Sequence, residues 1–316
     1  MKGVQLTSNI TDTALVFEGG GLRASYTSGL VVSLLEAGLY FNWVGGISAG
    51  SSHTANYLSR DVWRARASFT DFADDPQFGG WSTFVRGQGL FNAKYIYQEA
   101  GQPGANLPFD DETFQANPAQ MSVGAFNAST GESTYWGRSD IDTAGDLMIR
   151  VQASSTMPIV MPRVIINDQV FLDGALGETA GIPLLPAQRA GYERFLIVLS
   201  RPRDYIKEPF RHTRLVNRWF HGLPAVSEAL ASRPKRYNAL REEIFSLAEK
   251  GKAYVFIPET MPISTNRSTT AQLIASYEAG YAQAQKELPA IIEFLGDPQG
   301  TSKNSDTQAQ TLALDS

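Results

Sequence analysis

Two glycine-rich turns, each between a short apolar run and a helical pattern, lie near the start of the chain and constrain the fold most. The first apolar run is Ala14–Phe17 and the second is Phe41–Val44. Between them, Ser28–Gly38 carries leucines on one helical face and a glycine suited to a helix end, and Ala49–Arg60 follows the second turn as another predicted helix. This strand-helix-strand-helix order favours an α/β fold, with a mostly parallel sheet and helices on both faces.

The rest of the chain predicts loops, two hairpins and further strands and helices. Residues 61–120 mix aromatic residues with Gly, Pro and Asp, which indicates helices and long loops that cover a site. The predicted hairpins pair Met121–Phe126 with Ser133–Trp136, and Val164–Ile166 with Val170–Leu172. Later strands are predicted at Phe195–Leu199 and Tyr254–Ile257, and helices at Arg214–Lys250 and Thr270–Leu295.

The composition excludes several kinds of site and partner. The chain has no cysteine, so disulfides, thiolate nucleophiles and cysteine metal sites are excluded. Its formal net charge of -5 argues against a nucleic-acid partner, which normally requires a basic domain. Because the first residues contain no apolar signal region and no run of about 18 apolar residues occurs, we expect a soluble, cytoplasmic protein.

The second glycine-rich turn contains a possible nucleophile. The residues Gly46-Ile47-Ser48-Ala49-Gly50 match the G-x-S-x-G nucleophile elbow, and they lie where a predicted strand gives way to a predicted helix. Small residues suit this motif because the serine occupies a strained turn that neighbouring backbone must approach closely. Alone the motif is weak in a chain with 28 glycines, and a glycine-rich turn without chemistry is the alternative interpretation.

The first glycine-rich turn offers backbone amides for an oxyanion. Three consecutive glycines, Gly19, Gly20 and Gly21, can direct N–H groups at a tetrahedral intermediate, and Leu22 and Arg23 extend the motif. Arg23 would add positive charge near the same pocket. A phosphate-binding loop is the competing interpretation, but the sequence has neither G-x-x-x-x-G-K-[ST] nor a third glycine in register for G-x-G-x-x-G.

A nucleophilic serine needs a base, and the candidates are few. Of the three histidines, His53 follows the elbow on the same predicted helix and points away from it, while His212 and His221 lie in a basic helical stretch. Asp173 is the better candidate, because it directly follows a predicted strand and belongs to the chain's only Asp-Gly dipeptide, Asp173-Gly174. A turn aspartate without chemistry is an equally good interpretation of that dipeptide alone.

The order of these motifs resembles that of a known family. The turn beginning at Gly19, the elbow around Ser48 and Asp173-Gly174-Ala175 together resemble the patatin-like phospholipase family, whose pattern is G-G-G-x-[R/K], G-x-S-x-G and D-G-[A/G]. The segment Ala153–Pro158 is also similar to the family at that place. Three motifs in this order and spacing are far more specific than any one of them.

The resemblance implies a fold, a mechanism and a substrate class. The fold would be the three-layer α/β/α architecture, with a catalytic domain at residues 13–200 and a packed C-terminal extension at 201–296. Independently of the resemblance, the tail at 297–316 is polar and low in aromatic residues, which predicts disorder. The mechanism would be cofactor-free and metal-free hydrolysis of lipid acyl esters, as by a phospholipase A or lysophospholipase. In this mechanism Asp173 accepts the proton of Ser48 directly, and no histidine takes part.

A basic segment and a group of aromatic residues each have two interpretations. The segment Arg201–Arg241 holds ten Lys or Arg against three Asp or Glu, which would suit a peripheral contact with the inner membrane face, although a solvated helix face is favoured. A group of aromatic residues would line an acyl channel or fill the core. That group comprises Trp63, Phe69, Phe72, Phe78, Trp81, Phe84 and Phe91.

Two other functions stay open at this point. One is a general esterase of the α/β-hydrolase type, in which Ser48 and Asp173 act with His212 or His221. The other is a non-catalytic scaffold that binds lipid or a protein, since one fold can host unrelated functions. The sequence does not predict an oligomeric state.

Overall fold

An eight-stranded sheet organises the part of the chain that the computed structural model describes, which comprises residues 6–79, 91–158, 160–209, 222–261, 263 and 268–296. The strands are β1 Thr13–Phe17, β2 Trp43–Ile47, β3 Gln120–Asn127, β4 Ser133–Trp136, β5 Val164–Ile166, β6 Gln169–Asp173, β7 Arg194–Val198 and β8 Ala253–Phe256. Their order is β5-β6-β3-β2-β1-β7-β8, and β4 also pairs with β3. The run from β3 to β8 is parallel, whereas β4, β5 and β6 pair in antiparallel fashion.

Successive side chains of β1 enter two separate cores, which is why helices cover both faces of the sheet. Leu15 and Phe17 belong to one core, and Ala14 and Val16 belong to the other, as the two-residue period of a strand requires. The first core receives side chains from α1 Ala24–Glu36, α2 Ala49–Leu58, α3 Val62–Ala67, α4 Asp111–Ala116, α5 Ala144–Ser155 and α8 Thr270–Leu295. The second receives them from α6 Leu184–Arg189 and α7 Pro224–Glu249. The predicted three-layer α/β/α fold is therefore confirmed.

The predicted strands and hairpins are present with small shifts at their ends. The largest shift is at β2, which runs on to Ile47, so that Gly45 and Gly46 are strand residues and not the predicted turn. Gly45 has no side chain because the Trp43 ring fills that space, 2.5 Å from where a Cβ would lie. The hairpin of β5 and β6 turns at Asn167 and Asp168, whose φ values of 48° and 61° are typical of a type I′ turn.

The predicted helices are present, but some of them begin or end at other residues than predicted. Helix α1 begins at Ala24, four residues before the predicted start at Ser28, because a short 3-10 turn at Gly21–Arg23 leads directly into it. It ends as expected before Gly38, which has a φ of 65°. The predicted helix from Arg214 is described from Pro224 onward, and its first residues lie outside the described ranges.

The last third of the chain contributes to the same sheet and to the same core. Strand β8 pairs in parallel with β7, and the long helix α8 packs along α1. The division at residue 200 into a catalytic domain and an extension stays a prediction, as does the disordered tail at 297–316, which lies outside the described residues.

The contact between α1 and α8 depends on two glycines that let the helix backbones touch. A Cβ on Gly29 would lie 2.2 Å from the Tyr281 nitrogen, and a Cβ on Gly280 would lie 1.9 Å from the Tyr26 carbonyl oxygen. Neither distance is compatible with a side chain. The pairing of the two helices therefore leaves no room for even one methyl group at this point.

We predict that Gly280→Ala destabilises the protein by about 1–3 kcal/mol, because the methyl group forces two packed backbones apart. The control is Gly145→Ala in helix α5, where a Cβ meets only the Thr143 hydroxyl at 3.5 Å. There alanine should be neutral or stabilise by up to about 1 kcal/mol. Urea unfolding of both variants measures the difference, and equal stability of the two variants would contradict the close helix contact.

Candidate active site

Ser48 lies at the tip of a strained turn between β2 and α2. Its φ of 56° and ψ of -127° are values that residues with side chains rarely adopt. The turn is possible because Gly46 and Gly50 touch: a Cβ on Gly46 would lie 1.9 Å from the Gly50 carbonyl oxygen. A Cβ on Gly50 would in turn lie 2.4 Å from the carbonyl oxygen of Phe17 in β1. The elbow predicted from G-x-S-x-G is therefore present as a strand-turn-helix element.

Asp173 lies at the end of β6 and contacts the Ser48 hydroxyl directly. The Ser48 Oγ donates a hydrogen bond of 2.8 Å to Asp173 Oδ2. The other carboxylate oxygen, Oδ1, accepts from the Ala175 amide at 2.8 Å, which fixes the orientation of the carboxylate. Gly174 must be small here, since a Cβ would lie 2.2 Å from the Gly124 carbonyl oxygen. The structure thus brings together two residues that are 125 positions apart in the sequence.

The protonation of Asp173 is shifted by its surroundings. Burial raises the pKa of the Asp173 carboxyl above its ordinary value of 3.8, and the hydrogen bond from the Ala175 amide is the largest effect that opposes the rise. The positive charge of Arg233 and the bond from Ser48 oppose it further. A carboxylate with a raised pKa is a better proton acceptor than an ordinary aspartate.

The first glycine-rich turn passes directly beside Ser48. A Cβ on Gly19 would lie 2.8 Å from the Ile47 carbonyl oxygen and 3.0 Å from the Ser48 Cβ, so only glycine fits. The Gly19 amide, however, donates to the Gly181 carbonyl oxygen at 2.9 Å and so is already engaged. The amides of Gly20, Gly21 and Leu22 donate to no acceptor within the described ranges. Gly21 and Leu22 also line the cavity that opens beside Ser48.

Arg23 does not lie where the sequence predicts it. Its side chain is buried, and its Nε donates to the Ser200 carbonyl oxygen at 3.0 Å, behind the glycine-rich turn and outside the cavity lining. Burial lowers the pKa of the Arg23 guanidinium to about 10, and repulsion from Arg201 adds to this effect. Arg23 therefore binds the backbone at Ser200 and is not among the residues that line the cavity.

Several residues that hold the site were not predicted. Ser154 accepts the Ser48 amide hydrogen at 2.8 Å and donates to the Gly124 carbonyl oxygen at 2.6 Å, which ties the elbow to β3. Ser200 donates its hydroxyl to the Gly19 carbonyl oxygen at 2.9 Å. The only sequence signal for Ser154 was its place in the stretch Ala153–Pro158 that resembles the family, and Ser200 had none.

A mostly apolar cavity opens beside the Ser48 hydroxyl. It holds about 880 Å³ of space, including its open mouth, and four of the aromatic residues singled out in the sequence line it. These are Phe69, Phe72, Phe78 and Phe91. Of the remaining three, Trp63 is 54% exposed at the surface, and Trp81 and Phe84 lie outside the described residues.

The one histidine within the described ranges does not reach the site. His53 is fully buried in α2, and its Nε2 lies 2.8 Å from the Thr27 hydroxyl. Burial lowers the pKa of the His53 imidazole to about 3, so the ring is neutral at physiological pH. His212 and His221 lie outside the described residues.

The described residues form neither a metal-binding cluster nor a membrane-spanning helix. No group of three or more His, Asp or Glu side chains is placed to hold a metal ion there. No helix in the same ranges is both long and apolar enough to cross a membrane.

Comparison with known proteins identifies the family. A family model described as "Patatin-like phospholipase" matches residues 15–187, more than half of the chain. The match includes both glycine-rich turns, the second of which is the elbow, and Asp173. The chain belongs to the patatin-like phospholipase family. A second model, "Domain of unknown function (DUF6363)", matches residues 223–296. The resemblance drawn from the three motifs is therefore confirmed.

Two individual proteins are similar to this patatin-like chain. "Uncharacterized protein YjjU" of Escherichia coli (strain K12) is 24% identical over 217 residues, which cover 65% of this chain and 56% of that protein. The match thus spans little more than half of the relative's length. The crystal structure of VipD from Legionella pneumophila aligns with a TM-score of 0.49 and 13% identity, over 88% of this chain and 67% of that chain.

The raised pKa of Asp173 predicts how an uncharged substitute changes stability in this patatin-like protein. A group whose pKa is higher in the folded state contributes stability below its unfolded pKa and loses that contribution as pH rises through the folded pKa. Asp173→Asn should therefore unfold at an equal or higher temperature than the wild type at pH 8, with the difference shrinking toward acidic pH. Thermal unfolding across pH measures this.

The control for that experiment is Asp146→Asn, which should behave in the opposite way. Hydrogen bonding to Thr143 at the start of α5 lowers the pKa of Asp146, so its contribution is present at neutral pH and lost as pH falls through the folded pKa. A wild type that is more stable than Asp173→Asn at pH 8, with a difference that shrinks in acid, would contradict the raised pKa of Asp173.

Proposed function

We propose that this protein is a serine acyl hydrolase that cleaves carboxylic ester bonds of lipids with Ser48 as nucleophile and Asp173 as base. The observation that carries the proposal is the 2.8 Å hydrogen bond from Ser48 Oγ to Asp173 Oδ2. It lies at a strained strand-helix turn beside an apolar cavity. Membership in the patatin-like phospholipase family supports the substrate class.

The first half-reaction follows from this geometry. Asp173 accepts the Ser48 proton as the serine oxygen attacks the ester carbonyl carbon, and the carbonyl oxygen becomes an oxyanion. The amides of Gly20, Gly21 and Leu22, which have no acceptor among the described residues, are the proposed donors to that oxyanion. Collapse of the tetrahedral intermediate breaks the ester bond, and Asp173 returns the proton to the departing alcohol.

The second half-reaction uses the same groups. Water loses a proton to Asp173 and attacks the acyl-serine, the oxyanion forms again beside the same amides, and the Ser48 oxygen departs with the proton. The free acid is released and the hydroxyl is restored. Both steps use Ser48, the Asp173 carboxylate that accepts its hydrogen bond, the proposed oxyanion amides and a water molecule, so the proposed cycle involves no histidine, metal or cofactor.

The cavity supports a lipid acyl chain as the group held during the reaction. Ser48 lies at one part of its lining, and the wall beyond consists mainly of aromatic and aliphatic side chains. Apolar contact with a chain of methylene groups is favourable by about 0.8 kcal/mol for each buried group. A phospholipase A or lysophospholipase reaction would use this cavity for the acyl chain and leave the head group outside.

The basic segment Arg201–Arg241 is also a candidate for contact with an anionic membrane surface. In the described part of the basic segment, Arg241 donates to the Pro202 carbonyl oxygen and Arg236 donates to that of Leu176, both at 2.7 Å. These side chains bind the protein's own backbone, which favours the structural interpretation over a membrane-binding face. Binding to liposomes that does not depend on anionic lipid would remove the electrostatic membrane contact. The predicted cytoplasmic location stays a prediction.

Kinetics of three variants test the proposed function. Ser48→Ala and Asp173→Ala should each lower kcat for a p-nitrophenyl acyl ester by a factor on the order of 10³ or more, as expected for a broken nucleophile-base pair. The matched control is Ser33→Ala, because Ser33 is a buried serine in α1 whose hydroxyl donates to the Gly29 carbonyl oxygen and accepts from the Gln285 amide of α8. A parallel assay with mixed phospholipids measures whether lipid esters are cleaved.

Three results would contradict the proposal. Full activity in Asp173→Ala would remove the aspartate from the role of base. Loss of activity in His212→Ala or His221→Ala, with the fold intact, would favour a Ser-Asp-His enzyme instead. Absence of ester hydrolysis with every substrate would favour the non-catalytic scaffold.

A further inference from the structure

The cavity follows helix α2 away from Ser48. Ser48, Ser52 and Ala55 all line it, and their spacing of four and three residues places them on one face of the helix. Seven residues of helix advance the chain by roughly 10 Å. The cavity therefore extends about that distance from the serine hydroxyl before it passes Ala55.

A buried arginine lines the cavity at that distance. Arg64 of helix α3 is 5% exposed, its Nη1 donates to the Asn56 Oδ1 next to Ala55, and its Nε donates to the Leu107 carbonyl oxygen at 3.3 Å. Ser68, whose hydroxyl bonds the Arg64 carbonyl oxygen and the Asn56 amide, lines the cavity beside it. The end remote from Ser48 is therefore polar, in contrast to the apolar walls between.

The Arg64 guanidinium forms no ion pair within the described part of the chain. Its two acceptors are a backbone carbonyl and an amide oxygen, both neutral. The nearby Asp61 uses its Oδ1 to accept the backbone N–H of Arg64 at 2.8 Å and forms no ion pair with the guanidinium. Burial lowers the pKa of Arg64 to about 10, the charge of nearby Asp61 opposes this fall, and Arg64 remains a cation at neutral pH. A buried cation without a carboxylate in direct contact is unfavourable, and an anion that contacts the guanidinium from the cavity relieves that cost.

We propose that Arg64 selects acyl esters whose chain carries a carboxylate at the end remote from the ester bond. The ester carbonyl would lie at Ser48, the methylene groups along the apolar wall, and the terminal carboxylate at Arg64. A chain that ends in a methyl group would instead place that methyl against a charged guanidinium. The substrate class is thus the monoesters of medium-chain dicarboxylic acids, including lipids with a shortened, oxidised acyl chain.

The distance sets the length of the chain. An extended chain advances about 1.2 Å for each bond, so roughly 10 Å corresponds to about eight carbons. Shorter chains would leave the carboxylate in the apolar part of the cavity. Longer chains would have to fold back or leave the site.

This inference rests on the proposed acyl hydrolysis and deepens it, so the test separates the two. The substrates are p-nitrophenyl monoesters of dicarboxylic acids and the matching methyl-ended esters, with chains of about six to twelve carbons. In the wild type, kcat/KM for the carboxylate-ended ester should equal or exceed that of the methyl-ended ester near eight carbons. Rejection of the carboxylate-ended ester at every length would overturn the inference without the use of any variant.

The second part of the experiment measures the same substrates with variants of Arg64. Arg64→Met keeps the length of the side chain without its charge, and it should lower the ratio of carboxylate-ended to methyl-ended kcat/KM by about 10- to 100-fold. Arg64→Lys should keep part of the preference, and since it retains the charge it also serves if Arg64→Met does not fold. The control is Arg66→Met, on the same helix but exposed and outside the cavity lining, which should leave the ratio unchanged.

The outcomes distinguish the two claims. An unchanged ratio in folded Arg64→Met would overturn the role of Arg64, even where Ser48-dependent hydrolysis of a short butyrate ester persists. If the wild type does not hydrolyse the butyrate ester, the proposed function itself would be overturned. A ratio that falls equally in Arg66→Met would assign the effect to general surface charge and would also overturn the role of Arg64.

Discussion

The close approach of three backbone segments around Ser48 is the constraint on which the rest of the site depends. Gly46 lets β2 pass against the first turn of α2, and Gly50 lets that turn approach β1. Because of these contacts, Ser48 takes a backbone conformation that costs about 1–3 kcal/mol for a residue with a side chain. The packed sheet and helix α2 maintain the strain, and the result is a hydroxyl that points away from the sheet toward Asp173 and the cavity.

A second layer of contacts ties the glycine-rich turn to the later part of the chain. The Glu18 carboxylate accepts the Ser200 amide at 2.6 Å and the Tyr237 hydroxyl at 2.7 Å, and Ser200 in turn accepts from Arg23. Tyr237 belongs to α7, within the segment that matches the domain of unknown function. The position of the proposed oxyanion amides is therefore linked by buried hydrogen bonds to residues beyond the patatin-like match.

Local patterns in the sequence predict the parts of this structure that depend on neighbouring residues. The apolar run before Gly19 and the elbow around Ser48 identify strands and turns because their requirements are local: small residues, a strand before and a helix after. Asp173 could be proposed as the base because it directly follows a predicted strand and begins an Asp-Gly dipeptide. The same residues also complete the family pattern. The misassigned turn at Gly45 arose because glycine indicates a turn in sequence, whereas here it makes room for the Trp43 ring.

The parts that could not be predicted depend on contacts between distant residues. No local pattern indicates that the Gly19 amide is engaged by Gly181, or that Arg23 faces away from the pocket toward Ser200. The position of Arg64 in the cavity likewise depends on how α3 packs against α2. Such contacts involve residues far apart along the chain or side-chain directions that periodicity does not determine.

Covalent trapping tests whether Ser48 is a nucleophile that Asp173 activates. The protein would be treated with a fluorophosphonate, and mass spectrometry of the digested adduct would locate the modified residue while the labelling rate is followed across pH. We expect one adduct, on Ser48. Its rate of formation should fall as pH decreases through a midpoint above the ordinary aspartate value of 3.8, and it should be strongly reduced in Asp173→Asn. An adduct on another residue, or labelling of Ser48 at the full rate in Asp173→Asn, would contradict this expectation.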